Sequence, residues 1–214
     1  MSTAGAGPYP TERGIVALCR DRSEASAAAE RLATAERLAP GTTAVTLHTA
    51  LEGHTGDWLA VIRATGDPAV LAEGLAGIGT VGVYETTFRR VKAHERTWAV
   101  GEPTPGVGLL LAIVAHPDLT HAEFDAHWRD VHAPLALTHH PGMWDYVQCS
   151  FERPATVGSE PYDGMAVCKF ATLDDLKQRF FDGPEGREII RADVARFSDM
   201  ERSPAMRMTE LVLV

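Results

Sequence analysis

Two segments of this 214-residue chain can be aligned with each other over fifteen positions. The segment DWLAVIRATGDPAVL, which begins at Asp57, lies over DGMAVCKFATLDDLK, which begins at Asp163, at an offset of 106 residues. Acidic, small, apolar and basic positions coincide in the two segments, as the pair Arg63 and Lys169 illustrates. Such a repeat predicts two copies of one supersecondary unit, because repeated units bury their apolar faces against each other.

The first half of the sequence follows the order β-α-β-β-α-β. Short apolar or alternating runs predict its strands, and Ala-rich or Pro-started runs predict its helices. Ser23 is the expected cap of the first helix, which we expect to stop at Pro40 and Gly41. The predicted strands are residues 14–20, 43–51, 57–64 and 80–91, and the predicted helices are residues 23–39 and 67–76.

The same order returns after EPTPG, residues 102–106, a turn-rich stretch that we interpret as a linker. Thr120 and Glu123 have the spacing of a capping box, which predicts a helix starting there. We therefore predict a flexible arm over residues 1–13, a first unit over residues 14–101 and a second unit over residues 107–214. The predicted strands of the second unit are residues 107–115, 143–152, 163–171 and 206–214, and further helices are expected over residues 172–181 and 185–197.

This pattern predicts an α+β protein made of two tandem ferredoxin-like β-α-β-β-α-β units. Each unit has a four-stranded antiparallel sheet with helices on one face, so its other face needs a cover. Packing the two sheets face to face, as a dimeric-type α/β barrel, supplies that cover. The sequence leaves open whether the two halves pair within one chain or between the chains of a homodimer.

Composition restricts the partners of the chain. The net charge of -9 argues against nucleic-acid binding, which needs clustered Lys and Arg. The most apolar run, VGLLLAIVA, is too short to span a bilayer, and the first residues lack the apolar segment of a secretory signal. The three cysteines form no CxxC pair, which favours a reducing compartment. We therefore expect a cytoplasmic protein whose partner is a small molecule.

Four of the nine histidines lie in HWRDVHAPLALTHHPG, residues 127–142. On an α-helix His127 and His132 would point roughly 140° apart, whereas two zinc ligands on one helix lie four residues apart. The sequence therefore predicts no metal site, and we expect His127 to face solvent or an ion pair. His139 and His140 form a dipeptide near the helix end, where solvated side chains are the more frequent outcome.

Phe124, Trp128, Val131 and Leu135 form an apolar stripe at helical spacing, which predicts that Trp128 is a core residue. His132 falls at the edge of this stripe. Position alone allows it either to stabilise the helix C-terminus or to reach a cavity as an acid or base.

Trp144, Tyr146 and Gln148 alternate along the following predicted strand, so they should project from one face. Aromatic and amide groups on one face suit an aromatic ligand, although ordinary sheet packing explains them equally well if Gln148 finds a neighbour. His116, at the end of the preceding strand, and Tyr162, at a strand start, are weaker candidates for the rim of the same pocket.

The second half resembles the EthD-type members of the dimeric α/β-barrel superfamily over residues 107–214. The resemblance rests on the Trp-Arg-x-x-His run with Pro-Leu, the Pro-Gly turn, the strand with Tyr-x-Gln, the Tyr-Asp-Gly strand start and the closing FSDMERSP segment. The first half lacks a counterpart of the Trp-Arg-x-x-His run and is interpreted as a degenerate copy.

The resemblance implies a pocket inside the barrel and chemistry without metal or organic cofactor. It favours His132 as the pocket acid or base, with Tyr146 as hydrogen-bond donor and Trp128, Trp144 and Gln148 as binding residues. The expected function is a dehydratase- or cyclase-type lyase of secondary metabolism or degradation, acting on a cyclic, aromatic or polyketide-like substrate. Alternatives are a cofactor-independent monooxygenase, a ligand-binding stress or accessory protein without turnover, and an assembly scaffold with a filled barrel.

Overall fold

A computed structural model of the protein describes residues 8–36 and 43–214. The first half contains the six predicted elements in the predicted order. They are β1 (Thr11–Cys19), α1 (Arg22–Glu36), β2 (Ala44–Ala50), β3 (Ala60–Thr65), α2 (Pro68–Gly74) and β4 (Thr80–Lys92). None of the described helices is long and apolar enough to cross a membrane.

The second half repeats this order with its helices subdivided. Its elements are β5 (Val107–Ile113), α3 (His121–His127), a π turn (Trp128–His132), α4 (Ala133–His139), β6 (Met143–Pro154), β7 (Gly164–Phe170), α5 (Leu173–Gln178), α6 (Pro184–Phe197) and β8 (Ala205–Val212). Thr120 caps α3 and forms the predicted capping box with Glu123.

Two local predictions for the start of the chain were wrong. β1 begins at Thr11 rather than Gly14, because residues 11–13 already pair with β4, so they are not part of a flexible arm. Asp21, not Ser23, caps α1, since its carboxylate accepts the backbone N–H groups of Ser23 and Glu24. Residues 1–7 of the predicted arm, and the predicted helix end at Pro40 and Gly41, lie outside the described residues.

The eight strands close into one antiparallel barrel in the order β1-β3-β2-β8-β5-β7-β6-β4. Within each half the strands keep the order of a ferredoxin-like sheet. The halves face each other across the interior, as predicted, and they are also hydrogen-bonded along both edges, through β2–β8 and β4–β6. A single chain therefore supplies both sheets, and its barrel has no open sheet edge.

Three apolar clusters follow from this topology. One fills much of the barrel interior with side chains such as Leu18, Trp58 and Met165. The second lies between the outer face of the first sheet and helices α1 and α2. The third lies between the outer face of the second sheet and its helices, around Phe124 and Trp128. The predicted helical cover on one face of each sheet is thus present in both halves.

Candidate functional site

A pocket of about 200 Å³ lies in the third of these clusters, outside the barrel wall. The expectation that the His132 pocket lies inside the barrel was therefore wrong. Helices α4 and α6 cover this part of the sheet, and the pocket is the gap between these helices and the sheet. Most of its lining is apolar, and the polar members include His132, His140, Tyr146, Ser198 and Ser203. We call it the outer pocket.

The helix that carries the histidine-rich motif changes its winding at the pocket. Residues 128–132 form a π turn, in which the Ala133 N–H donates to the Trp128 carbonyl, five residues back. This winding brings residues five apart towards the same side of the helix. His127 and His132 both reach one carboxylate: His127 Nε2 lies 2.8 Å from Asp193 Oδ1, and His132 Nδ1 lies 2.8 Å from Asp193 Oδ2.

The separation of His127 and His132 inferred from α-helical spacing was therefore wrong. Asp193 lies on α6, is 4% exposed, and carries no sequence signal that would have singled it out. Burial would raise the pKa of Asp193, but the hydrogen bonds from His132 and His127 outweigh it and hold that pKa below its usual range. Asp193 is thus an ionised acceptor that fixes the orientation of both imidazoles.

The tautomer of His132 follows from this contact. A carboxylate only accepts hydrogen bonds, so His132 Nδ1 carries the proton and donates to Asp193. Nε2 is then the basic nitrogen left for a ligand of the pocket that His132 lines. An imidazole oriented by a carboxylate in this way is the arrangement that general acid–base catalysis requires.

The π turn also changes the phase of the apolar stripe. Phe124 and Trp128 are buried as predicted, but Val131 is 42% exposed, and Ala133 and Ala136 take the buried positions instead. The extra residue in the turn rotates the following helix, so a stripe counted at constant spacing fails after Trp128.

Behind the pocket, a hydrogen-bond network holds Tyr146. Its hydroxyl oxygen accepts from Trp128 Nε1 at 3.1 Å and from Gln148 Nε2 at 3.2 Å. Gln148 also donates to the Trp128 carbonyl at 2.8 Å and accepts from Arg89 Nη1 at 2.7 Å. Gln148 is fully buried and is not part of the pocket lining, so it positions Tyr146 rather than contacting a ligand.

Tyr146 itself lines the outer pocket. Burial raises the pKa of Tyr146 above its ordinary value, so the hydroxyl stays protonated. Among the hydrogen bonds of the described residues its oxygen only accepts, which leaves its proton for an acceptor on a ligand. Tyr146 can therefore donate to an oxyanion in the pocket.

Sequence reasoning did not single out Arg89, which belongs to the basic run of Arg89, Arg90 and Lys92. Arg89 is 3% exposed, and its Nη2 atom donates to both oxygens of Asp125 at 2.9 and 3.0 Å. Arg89 thus links β4 of the first half to α3 and to Gln148 of the second half. The neighbouring residues in the sequence do not indicate this burial, because it results from the pairing of β4 with β6, which are distant in the chain.

The Tyr-Asp-Gly strand start has a structural reason. A Cβ atom on Gly164 would lie 2.8 Å from the Trp128 ring and 3.0 Å from the Cys149 carbonyl oxygen. Only glycine allows the indole to pack this closely on the strand. Tyr162, which lies two residues before Gly164, packs against the cluster in the barrel interior and does not line the outer pocket, so its binding role stays a prediction.

Two further predicted binding residues lie away from the outer pocket. A register shift in β6 between Met143 and Asp145 takes Trp144 off the face of Tyr146, and its ring packs on His94 and Trp98 instead. His116 lies in a turn, where its Nδ1 accepts from the Asp118 N–H at 3.3 Å.

The last histidine pair was also placed wrongly by the sequence. His140 is 5% exposed, lines the outer pocket and stacks on Phe180, whose carbonyl oxygen contacts its Nδ1. Burial lowers the pKa of His140 to about 4, so this ring is neutral at pH 7. His139 pairs instead with Asp182 at 2.9 Å. Within residues 8–36 and 43–214, no three His, Cys, Asp or Glu side chains are placed to hold a metal ion.

Comparisons with known proteins agree with this fold. The EthD domain family matches residues 116–201, which include every element from α3 to α6. The structure of an anthrone oxidase-like protein is similar to this chain with a TM-score of 0.60 and 11% identity, over 95% of this chain and 93% of that one. A putative monooxygenase from Fusobacterium nucleatum subsp. nucleatum has a TM-score of 0.51 and 10% identity, over 96% and 93%.

An ethyl tert-butyl ether D (EthD) family protein from Bacillus halodurans is similar at 23% identity and a TM-score of 0.38, over 47% of this chain and 94% of that protein. No curated protein sequence matches the chain. At these identities the solved structures establish the fold alone. Residues 116–201 match the EthD domain family, and the chain as a whole forms an eight-stranded antiparallel α/β barrel in which one polypeptide supplies both sheets.

Proposed function

We propose that this protein is a cofactor-independent enzyme that converts a small cyclic, aromatic or polyketide-like molecule by acid–base chemistry in the outer pocket. The observation that carries the proposal is the His132–Asp193 contact, at 2.8 Å, beside a mostly apolar pocket. Burying a carboxylate and an imidazole costs desolvation free energy. An imidazole that a carboxylate orients is the usual group for proton transfer near neutral pH.

His132 Nε2 is assigned as the base that removes a proton next to a carbonyl group of the substrate. Asp193 holds the ring in the required tautomer and stabilises the imidazolium that forms. Tyr146 donates a hydrogen bond to the enolate oxygen that develops at the same time. Loss of a β-hydroxyl group as water, or attack of the enolate carbon on a second carbonyl, then completes a dehydration or a ring closure.

The size and polarity of the outer pocket restrict the substrate. At about 200 Å³ it is smaller than the range of roughly 300–1,000 Å³ that is usual for drug-sized ligands. Trp128, Phe180 and Phe197 contribute aromatic walls, which suit a compact ring system. The three cysteines are buried free thiols, which supports the proposed cytoplasmic location.

A cofactor-independent monooxygenase is the second candidate, and the anthrone oxidase-like and monooxygenase structures of the same fold favour it. A monooxygenase reaction would begin with the same deprotonation by His132, because the resulting enolate is the electron-rich species that reacts with O₂. One oxygen atom would enter the product and the other would leave as water, with the substrate supplying the electrons. The two candidates share their base and differ in whether O₂ is consumed.

Proton exchange tests both candidates through their common step. The purified protein is incubated in D₂O with a panel of cyclic β-hydroxy ketones, aryl ketones and anthrone, and NMR follows exchange of the proton next to the carbonyl. We expect exchange with at least one compact ring compound, lost in His132→Gln and kept in the matched variant His139→Gln. Oxygen uptake then separates the monooxygenase from the lyase. Binding without exchange or conversion contradicts the enzymatic proposal and favours a ligand-binding protein.

A further inference from the structure

The barrel has a second cavity that the proposed reaction does not use. It lies at one end of the barrel interior and measures about 660 Å³. Neighbouring residues of β6 face the two cavities separately, because Tyr146 lines the outer pocket and Val147 lines the barrel end. The sheet therefore separates this cavity, which we call the barrel-end cavity, from the His132 site.

Charged side chains from both halves line the barrel-end cavity. Lys169 Nζ donates to Glu210 at 2.8 Å, and Arg90 donates to Asp145 at 3.0 Å. These four charges compensate each other in pairs. Arg63, Arg96 and Glu12 also line the cavity, so its seven charged residues, four positive and three negative, carry one excess positive charge.

The guanidinium of Arg63 is poorly satisfied by the protein. Its Nε and Nη1 atoms are buried and have no hydrogen-bond partner among the described residues. Its Cζ lies 5.9 Å from the centre of the Phe88 ring, so one side of the guanidinium rests on an aromatic face. Arg63 is half-buried, and its buried donors are unfavourable without an acceptor. A carboxylate would supply that acceptor, because its two oxygens match the geometry of a guanidinium.

The rim of the cavity is aromatic. His94 and Trp98 line it, and both pack on Trp144, at ring-centre distances of 4.0 Å for His94 and 6.1 Å for Trp98. The indole N–H of Trp98 is buried and has no hydrogen-bond partner within the described part of the chain. The cavity thus combines the Arg63 guanidinium, whose Nε and Nη1 atoms lack hydrogen-bond acceptors within residues 8–36 and 43–214, with the aromatic rings of His94 and Trp98. The indole N–H of Trp98 adds one more hydrogen-bond donor.

We propose that the barrel-end cavity binds a small aromatic carboxylate, whose carboxylate group accepts hydrogen bonds from Arg63 while its ring packs against Phe88 and Trp98. The volume of about 660 Å³ accommodates one or two rings. This site is independent of the outer pocket and needs no assumption about the reaction there. It also gives the Trp98–Trp144 pair a role that the outer pocket does not provide.

Isothermal titration calorimetry of the whole protein with 2-naphthoate tests the site, with neutral 2-naphthamide and inorganic phosphate as comparison ligands. We expect one 2-naphthoate per chain, with 2-naphthamide and phosphate each at least about tenfold weaker, since the first lacks the charge and the second lacks the ring. Arg63→Met should weaken 2-naphthoate by at least about tenfold. Arg153→Met, which removes an exposed arginine paired with Glu85, should bind like the wild type.

Ala44→Trp places an indole in the cavity while Arg63 itself is retained, and it should also abolish binding if the protein remains folded by circular dichroism. His132→Gln should keep full affinity, so failure of the proposed reaction and failure of this site are distinguishable. Absence of saturable 2-naphthoate binding overturns the proposal. Equal affinity for 2-naphthamide, or binding that Arg63→Met and Ala44→Trp both leave intact, overturns it as well.

Discussion

His132 Nδ1 lies 2.8 Å from Asp193 Oδ2, across 61 residues of sequence. The other oxygen of the same carboxylate holds His127 Nε2 at 2.8 Å, so one buried acid orients two imidazoles. His127 keeps 22% of its side chain exposed, whereas His132 is 10% exposed and lines the outer pocket. The two rings are therefore not equivalent, and His132 is the one placed to meet a ligand.

Asp193→Asn should lower kcat/KM for proton exchange by about 10²–10⁴-fold, the usual contribution of a positioned acid–base group. An amide no longer enforces the Nδ1–H tautomer of His132, so Nε2 loses its basic lone pair in part of the molecules. Asp182→Asn is the matched control, because Asp182 holds His139 in the same way and lies outside the pocket lining. Equal losses in both variants would show that the effect is structural.

Tyr146→Phe should lower the free energy of unfolding by about 1–3 kcal/mol, because the buried Trp128 indole N–H loses its acceptor. Chemical denaturation measures this change. Tyr84→Phe is a suitable comparison, since the Tyr84 hydroxyl donates only to the Glu160 carbonyl, and its loss should cost about 0.5–1.5 kcal/mol. Proton exchange should fall in Tyr146→Phe alone. Unchanged exchange in that variant is incompatible with Tyr146 as the oxyanion donor.

Arg89→Met should destabilise the protein by about 3 kcal/mol, at the lower end of the effect of breaking a buried ion pair. The lower end is expected because Asp125 is 19% exposed and keeps Arg129 as a partner at 3.2 Å. Arg153→Met, which breaks the exposed contact with Glu85, should change the free energy of unfolding by less than about 1 kcal/mol. Similar values for the two variants would contradict the role of Arg89 as a link between the halves.

Stability should fall on mild acidification because of His48, which is fully buried. Burial, assisted by Arg63, lowers the pKa of His48 from 6.5 to about 3. Above pH 6.5 the ring is neutral in both the folded and the unfolded chain. As the pH falls from 6.5 towards 3, only the unfolded chain takes up the proton, so the free energy of unfolding decreases in that window.

At pH 5 the loss attributable to one such histidine is about 2 kcal/mol relative to pH 7. Denaturation of His48→Gln at the two pH values should show a smaller difference than the wild type, by about that amount. His140, whose pKa burial lowers to about 4, contributes in the same direction and remains in both proteins. The exposed His94→Gln variant should keep the wild-type difference. An identical pH dependence in His48→Gln would show that His48 takes up its proton in the folded chain as readily as in the unfolded chain.

Local sequence signals were sufficient for the elements and for the architecture. The capping box of Thr120 and Glu123 fixed the start of α3, because it depends only on residues three apart. The repeat between Asp57 and Asp163 predicted two equal units, and their order allowed one antiparallel arrangement with helices on one face of each sheet. The resemblance of the second half to the EthD-type family also indicated His132 and Tyr146 as candidates, although position alone left the role of His132 open.

Tertiary structure decided the site. The π turn rotates the helix that follows Trp128. Assigning helix faces at a constant spacing of about 3.6 residues per turn cannot predict this rotation, because it assumes that no wider turn interrupts the helix. Asp193 reaches His132 only because α6 packs over α4, and Arg89 reaches Gln148 only because β4 pairs with β6. These contacts join residues 59 and 61 positions apart, so their partners follow from the closure of the barrel and the packing of its helices, which no local pattern of the chain encodes.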